Sequence, residues 1–154
     1  MVSNGVKMNF SGNHNVSIDL KGRISVPAAF REKLRESYQS ESVVVTTFDG
    51  GLVAYPPSRW QDIYEKVEAL PAGPIKEANW RARISPAQEC LFNKQGRIQL
   101  PQSLRDYANL QKDVVVVGMS GKFEIWNQQT YAKAHQDSET LLKENAQIQA
   151  DLGF

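Results

Sequence analysis

Two arginines in this sequence have matched surroundings. Arg23 follows Gly22 and lies four residues after Asp19, and Arg97 follows Gly96 and lies four residues after Asn93. A guanidinium is a permanently charged planar fork of N–H donors. It fits two acceptors side by side, as on a phosphate or on the O6/N7 edge of guanine. A glycine just before it lets the backbone come close to a ligand and turn sharply. A carboxylate four residues earlier can brace the guanidinium across such a turn. That charge is missing at Asn93, so Arg97 is expected to be held less firmly than Arg23 and to contribute less to binding. Lys21 and Lys94 add an ammonium to each turn. The candidate binding residues are therefore Lys21, Arg23, Lys94 and Arg97, supported by Asp19, Gly22, Asn93 and Gly96. A Lys-Gly-Arg turn is more often an ordinary solvated hairpin, and D-x-x-x-R by itself is a weak pattern. What raises it here is the second copy.

Other chemistry finds little support. Cys90 is the sole cysteine, and His14 and His135 are the two histidines, far apart and without metal-ligand spacing. There is no Ser/His/Asp set, no phosphate-cradling loop and no paired carboxylates in a glycine-framed cleft. The expectation is a non-enzyme with no metal, no cofactor and no small-molecule substrate. Cys90 is read as a small buried apolar side chain. Trp60, Trp80 and Trp126 are read as core or interface anchors, and Arg31 and Arg105 as helix-surface residues rather than phosphate contacts, the alternative role for them.

The elements that must position the two arginines are themselves duplicated. At an offset of 74, Asp19–Pro27 lies over Asn93–Pro101, with Gly, Arg, Ile and Pro identical. At an offset of 71, Val43-Val44-Val45 lies over Val114-Val115-Val116, Leu52–Tyr55 over Phe123–Trp126, and Trp60 over Tyr131. Period-two alternation in Val16–Ile18, Ile24–Val26 and Ile98–Leu100 predicts half-buried strands on either side of glycine turns. Pro27 and Pro101 suit the first turn of a short helix. The β-branched runs Val43–Thr47 and Val114–Val117 predict buried strands, returning through hairpins at Asp49-Gly50-Gly51 and Ser120-Gly121. A helix follows each hairpin, the second from about Gln128 through His135. The expected division is a first module over 8–70, a linker with a possible helix over 71–85, a second module over 86–136, and an acidic helix or tail over 137–154. Units this small bury little apolar surface alone, so the repeat predicts intimate pairing of the copies and oligomerisation through leftover strand edges.

The chain's 154 residues are 23% charged and 41% hydrophobic, a globular composition. No apolar run is long enough to cross a bilayer, and Met1–Lys7 has no signal-peptide core, so a cytoplasmic protein with no membrane partner is expected. Net charge is +1 and the pI about 7.8. A domain dedicated to nucleic acid often exceeds a pI of roughly 9, so any basic surface must be local. Asp19–Arg35 and Lys94–Lys112 each carry net +3, while Asp137–Phe154 holds four acids against one lysine.

The residues Asp19–Pro27 with Ala28-Ala29-Phe30-Arg31, Ala87–Cys90 with Asn93–Pro101, the Phe10-Ser11-Gly12 start and the Phe123–Trp126 strand resemble the MraZ family, from Phe10 to about His135. The resemblance implies an α+β fold, mainly β with short helices. It is a pseudo-two-fold tandem of SpoVT–AbrB modules arranged as a swapped-hairpin barrel. It also implies a sequence-specific, DNA-binding transcriptional regulator of the division and cell-wall gene cluster. Such regulators bind repeated promoter boxes in double-stranded DNA as ring-shaped homo-oligomers, often octamers, and associate with the nucleoid. Their D-x-x-x-R motif maps onto Asp19 and Arg23, and onto Arg97 in the second copy. The chain departs from the pattern at Asn93, at Ser11 where many relatives have arginine, and in the extension Met1–Lys7. The alternative reading is an AbrB-like antitoxin or protein-interaction module that grips a partner through the acidic tail.

Overall fold

The β-branched runs become the first strands of two hairpins. The computed structural model describes residues 9–154, so the extension Met1–Lys7 lies outside the described residues. In chain order the elements are β1 (Asn13–Ser17), β2 (Arg23–Ser25), α1 (Ala28–Tyr38), β3 (Ser42–Phe48), β4 (Gly51–Tyr55), α2 (Pro57–Glu68) and α3 (Pro74–Asn79). After a π-helical turn (Trp80–Ile84) come β5 (Gln88–Leu91), β6 (Arg97–Gln99), α4 (Gln102–Tyr107), β7 (Asp113–Gly118), β8 (Phe123–Asn127), α5 (Gln128–Lys143) and α6 (Ala146–Leu152). The β3–β4 turn has positive φ at both central residues, 53° at Asp49 and 91° at Gly50. That geometry matches the right-handed twist of the flanking strands.

Partners are exchanged between the copies. β1 pairs with β7 of the second copy, from Asn13↔Val117 to Ser17↔Asp113. Reciprocally, β5 pairs with β3 of the first copy, from Ser42↔Leu91 to Val45↔Gln88. The two hairpins meet through β4 and β8, with Val53 opposite Glu124. The result is a six-stranded antiparallel sheet in the order β1-β7-β8-β4-β3-β5. Exchanging the equivalent strands β1/β5, β3/β7 and β4/β8 reverses this order onto itself, so a pseudo-two-fold axis passes between β4 and β8. The remaining strands, β2 and β6, lie outside that sheet and pair with each other as a two-stranded antiparallel ribbon, with Ile24 also bridging back to Ile18.

One core receives both copies. Ile24, Val26, Phe30, Leu34, Val43, Val45 and Leu52 pack with Ile98, Leu100, Leu104, Val114, Val116, Phe123 and Ile125 in a single buried cluster. Cys90 belongs to it as a small apolar group, and burial pushes its thiol up to about 11. Ile24 and Ile98 are fully buried and opposite each other. They therefore fix the ribbon's inner face and, with period two, its outer face. A second small cluster, Val115, Val117 and Trp126 with Tyr131 and Ala134, seats α5 on the far side of β7–β8. There the Trp126 indole N–H donates to Glu124 Oε1 at 2.9 Å.

Two details differ from the sequence reading. Pro27 and Pro101 stand one residue before their helices, with ψ of 139° and 151°, rather than inside the first turn. Their carbonyls accept the first helical N–H groups, as Pro27 does from Phe30 at 2.9 Å and Arg31 at 3.1 Å. The helix after β8 continues past His135 to Lys143 and is followed by α6, so the acidic end is helical to Leu152.

Candidate nucleic-acid interface

Each repeated turn is built by a side-chain oxygen folding back on its own backbone. Asp19 Oδ1 accepts the N–H of Lys21 and of Arg23, both at 2.9 Å. Asn93 Oδ1 accepts the N–H of Gln95 at 3.0 Å and of Arg97 at 2.9 Å. Asparagine supplies that oxygen as well as aspartate does, so the second turn keeps its shape without the charge. Gly22 and Gly96 sit at φ of 82° and 77°, a region where a Cβ is strained.

The difference between the copies lies in the second oxygen. Arg23 Nε donates to Asp19 Oδ2 at 2.7 Å. Asn93 makes no such bond to Arg97, whose Nε is buried without a partner among the described residues. Arg97 reaches across the ribbon instead, its Nη1 lying 3.5 Å from the same Asp19 Oδ2. One carboxylate thus faces both guanidinium groups. The Arg23 N–H above all, with the Arg23 guanidinium and the Lys21 N–H, holds the Asp19 carboxyl down at about 2 despite the opposing pull of desolvation. The sequence reading assigned Asp19 to Arg23 alone. The second partnership depends on the ribbon pairing, which no residue spacing reveals.

The ribbon places both arginines on one outward face. Its register is Arg23↔Gln99, Ile24↔Ile98 and Ser25↔Arg97, so the face opposite the buried isoleucines carries Arg23, Ser25, Arg97 and Gln99. The arginine side chains keep 32% and 29% of their surface open, enough to present a fork of donors from a fixed base. Lys21 and Lys94 are exposed at the two turns. Gln99 is exposed too, and its amide nitrogen donates to the Lys21 carbonyl at 2.8 Å. Sequence reasoning missed Ser25 and Gln99 as members of this face. Period two sets Ser25 on the strand face of Arg23 and Gln99 on that of Arg97, and the 74-residue offset makes the two equivalent; only the pairing joins the two faces.

Arg31 and Arg105 are not free helix-surface residues. Each crosses to the other copy's turn: a Cβ on Gly96 would come within 2.5 Å of Arg31, and one on Gly22 within 2.5 Å of Arg105. Arg31 Nε donates to the Val26 carbonyl at 3.2 Å and Arg105 Nε to the Leu100 carbonyl at 3.0 Å. The glycines therefore serve two ends, a positive φ and a flat seat for an arginine from the opposite half.

Comparison with known proteins bears on this geometry. The family model described as "MraZ protein, putative antitoxin-like" matches twice, over residues 9–78 and 84–151. The second match extends beyond His135, past the motifs that carry the resemblance in the sequence. The transcriptional regulator MraZ of Syntrophotalea carbinolica is 47% identical over 150 residues, covering 96% of this chain and all of that protein. That of Natranaerobius thermophilus is 40% identical over 142 residues, covering 90% and 94% of the two chains. That of Desulfitobacterium hafniense is 41% identical over 146 residues, covering 94% and 99%. With two tandem family matches and relatives aligned nearly end to end, the chain belongs to the MraZ family.

Proposed function

We propose that the chain is a sequence-specific, DNA-binding transcriptional regulator that uses the β2–β6 ribbon and its two turns as the reading surface. The observation that supports this best is the ribbon register, which brings Arg23 and Arg97 from sites 74 residues apart onto one exposed face. Relatives named as transcriptional regulators point the same way. A two-stranded ribbon is one of the elements that fit the major groove. In this reading Arg23 and Arg97 contact guanine or phosphate, Lys21 and Lys94 contact phosphate, and Asp19 orients both arginines while Asn93 shapes the second turn.

The near-neutral pI fits a protein that gains affinity by repetition. Non-specific phosphate binding lies at about 10⁻⁴–10⁻⁶ M, and linked sites raise avidity by about 10²–10⁴ when geometry allows. The family resemblance, rather than charge or avidity, supplies the rest of this reading: a ring-shaped homo-oligomer on repeated promoter boxes of the division and cell-wall cluster, gathered on the nucleoid in the cytoplasm. No helix among the described residues is long and apolar enough to cross a membrane.

The test is a gel shift with DNA from upstream of the chain's own gene, carrying one box or the full array. Arg23→Ala and Arg97→Ala are expected to weaken binding, Arg23→Ala the more, and the array is expected to bind tighter than one box. If both variants bind as wild type does, the site assignment fails. A second reading, an antitoxin-like grip on a protein partner, draws on the family's description and on α5–α6, where Leu141, Ile148, Leu152 and Phe154 are exposed. A partner that co-purifies through high salt and is lost on deleting 146–154 would favour it.

A further inference from the structure

The reading face is pseudo-symmetric in its arginines but not in the residues beside them. Across the ribbon, Arg23 faces Gln99 while Arg97 faces Ser25. Gln99 and Ser25 occupy equivalent positions of the two copies, both exposed. Their chemistry differs. A serine hydroxyl donates or accepts and therefore tolerates any base edge, whereas a glutamine amide offers a donor and an acceptor side by side, the complement of adenine N7 and N6.

Gln99 is also positioned in advance. Its Nε2 donates to the Lys21 carbonyl at 2.8 Å. An amide nitrogen carries two hydrogens, so this bond leaves one N–H and the whole of Oε1 open to a base. An exposed glutamine otherwise loses rotamer freedom when it binds, and a side chain already tied down loses less. The tie crosses from the second copy's strand to the first copy's turn, so it places the amide beside Arg23, the arginine most firmly held by Asp19.

Resting on the DNA-binding reading above, we infer that Gln99 is a specificity-determining residue: it selects adenine next to the base contacted by Arg23. At the other end of the ribbon Ser25 leaves the equivalent position beside Arg97 unselected. Each subunit then reads an element that lacks two-fold symmetry at this position, although the fold presenting it is nearly two-fold.

The experiment is enrichment of a randomised duplex pool by the full chain as wild type, Gln99→Ser and Ser25→Gln, with thermal unfolding of each to confirm an intact fold. Wild type is expected to enrich a motif containing one invariant adenine. Gln99→Ser is expected to keep the rest of the motif and lose the adenine preference by about 5- to 150-fold, the range for one bidentate base contact. Ser25→Gln is expected to gain an adenine preference at the symmetric position. An unchanged motif in Gln99→Ser overturns the inference and leaves the DNA-binding reading standing, as does a Gln99-dependent preference for another base. Failure of wild type to enrich any motif overturns both.

Discussion

Asp19 has more to do than its counterpart Asn93. Its Oδ1 closes the turn while its Oδ2 takes Arg23 Nε and faces Arg97 Nη1. Because its folded pKa lies near 2, below the ordinary 3.8, the carboxylate's contribution to the folded state is fully present above pH 3.8. It is lost as pH falls through about 2. Titration followed by carboxyl carbon NMR is expected to place the Asp19 midpoint near 2; a midpoint at the ordinary value would show that the Asp19 turn and its bonds to Arg23 are not held this way in solution. Asn93 can mimic Oδ1 but not Oδ2, which is why the loss of one charge leaves the second turn's backbone unchanged and strands only Arg97 Nε.

At the scale of elements, the turns are the most exacting part of the structure. Gly22→Ala would place a Cβ at φ 82° and within 2.5 Å of Arg105. The backbone strain alone costs about 1–2 kcal/mol, and Arg105 must also leave its seat. A urea unfolding curve is expected to show at least that loss, with Gly96→Ala behaving alike through Arg31. Much of this level was legible in the sequence. Val43–Thr47 and Val114–Val117 are strands because β-branched side chains suit a pleated, buried surface. Gly22 and Gly96 do turn the chain, and Cys90 is buried as the small apolar side chain it was read to be. Strand partners were not legible, because period two reports which face is buried and says nothing of which neighbour completes the ladder. The pairing of β1 with β7 and of β2 with β6 thus emerges only in three dimensions, and with it the shared Asp19, the crossed arginines and the place of Gln99. The sequence leaves the acidic end open between helix and tail for a different reason. Most of α5 beyond His135 and nearly all of α6 is exposed, so little apolar periodicity marks them.

For the whole molecule, exchanged strands and a common core mean that the two copies stand or fall together. Fragments 9–78 and 79–154, made separately, are each expected to lack a stable fold by circular dichroism and amide exchange. Each would leave a ladder unpaired and half a core open. Mixed, they are expected to restore the sheet. Independent folding of either fragment would sink the idea. Unfolding of the intact chain is expected to be a single transition for the same reason.

The pairing of β1 with β7 also sets a clock. Asn13–Ser17 leaves the ribosome early, but its partner Asp113–Gly118 is about a hundred residues away. At roughly 5–20 residues per second of synthesis, the first strand waits some 5–20 s with its hydrogen-bonding edge open. Nascent chains are therefore most exposed to mispairing with one another during that interval. A fold this small then has reason to need holding by chaperones while it is being made, and much less once Gly118 has emerged.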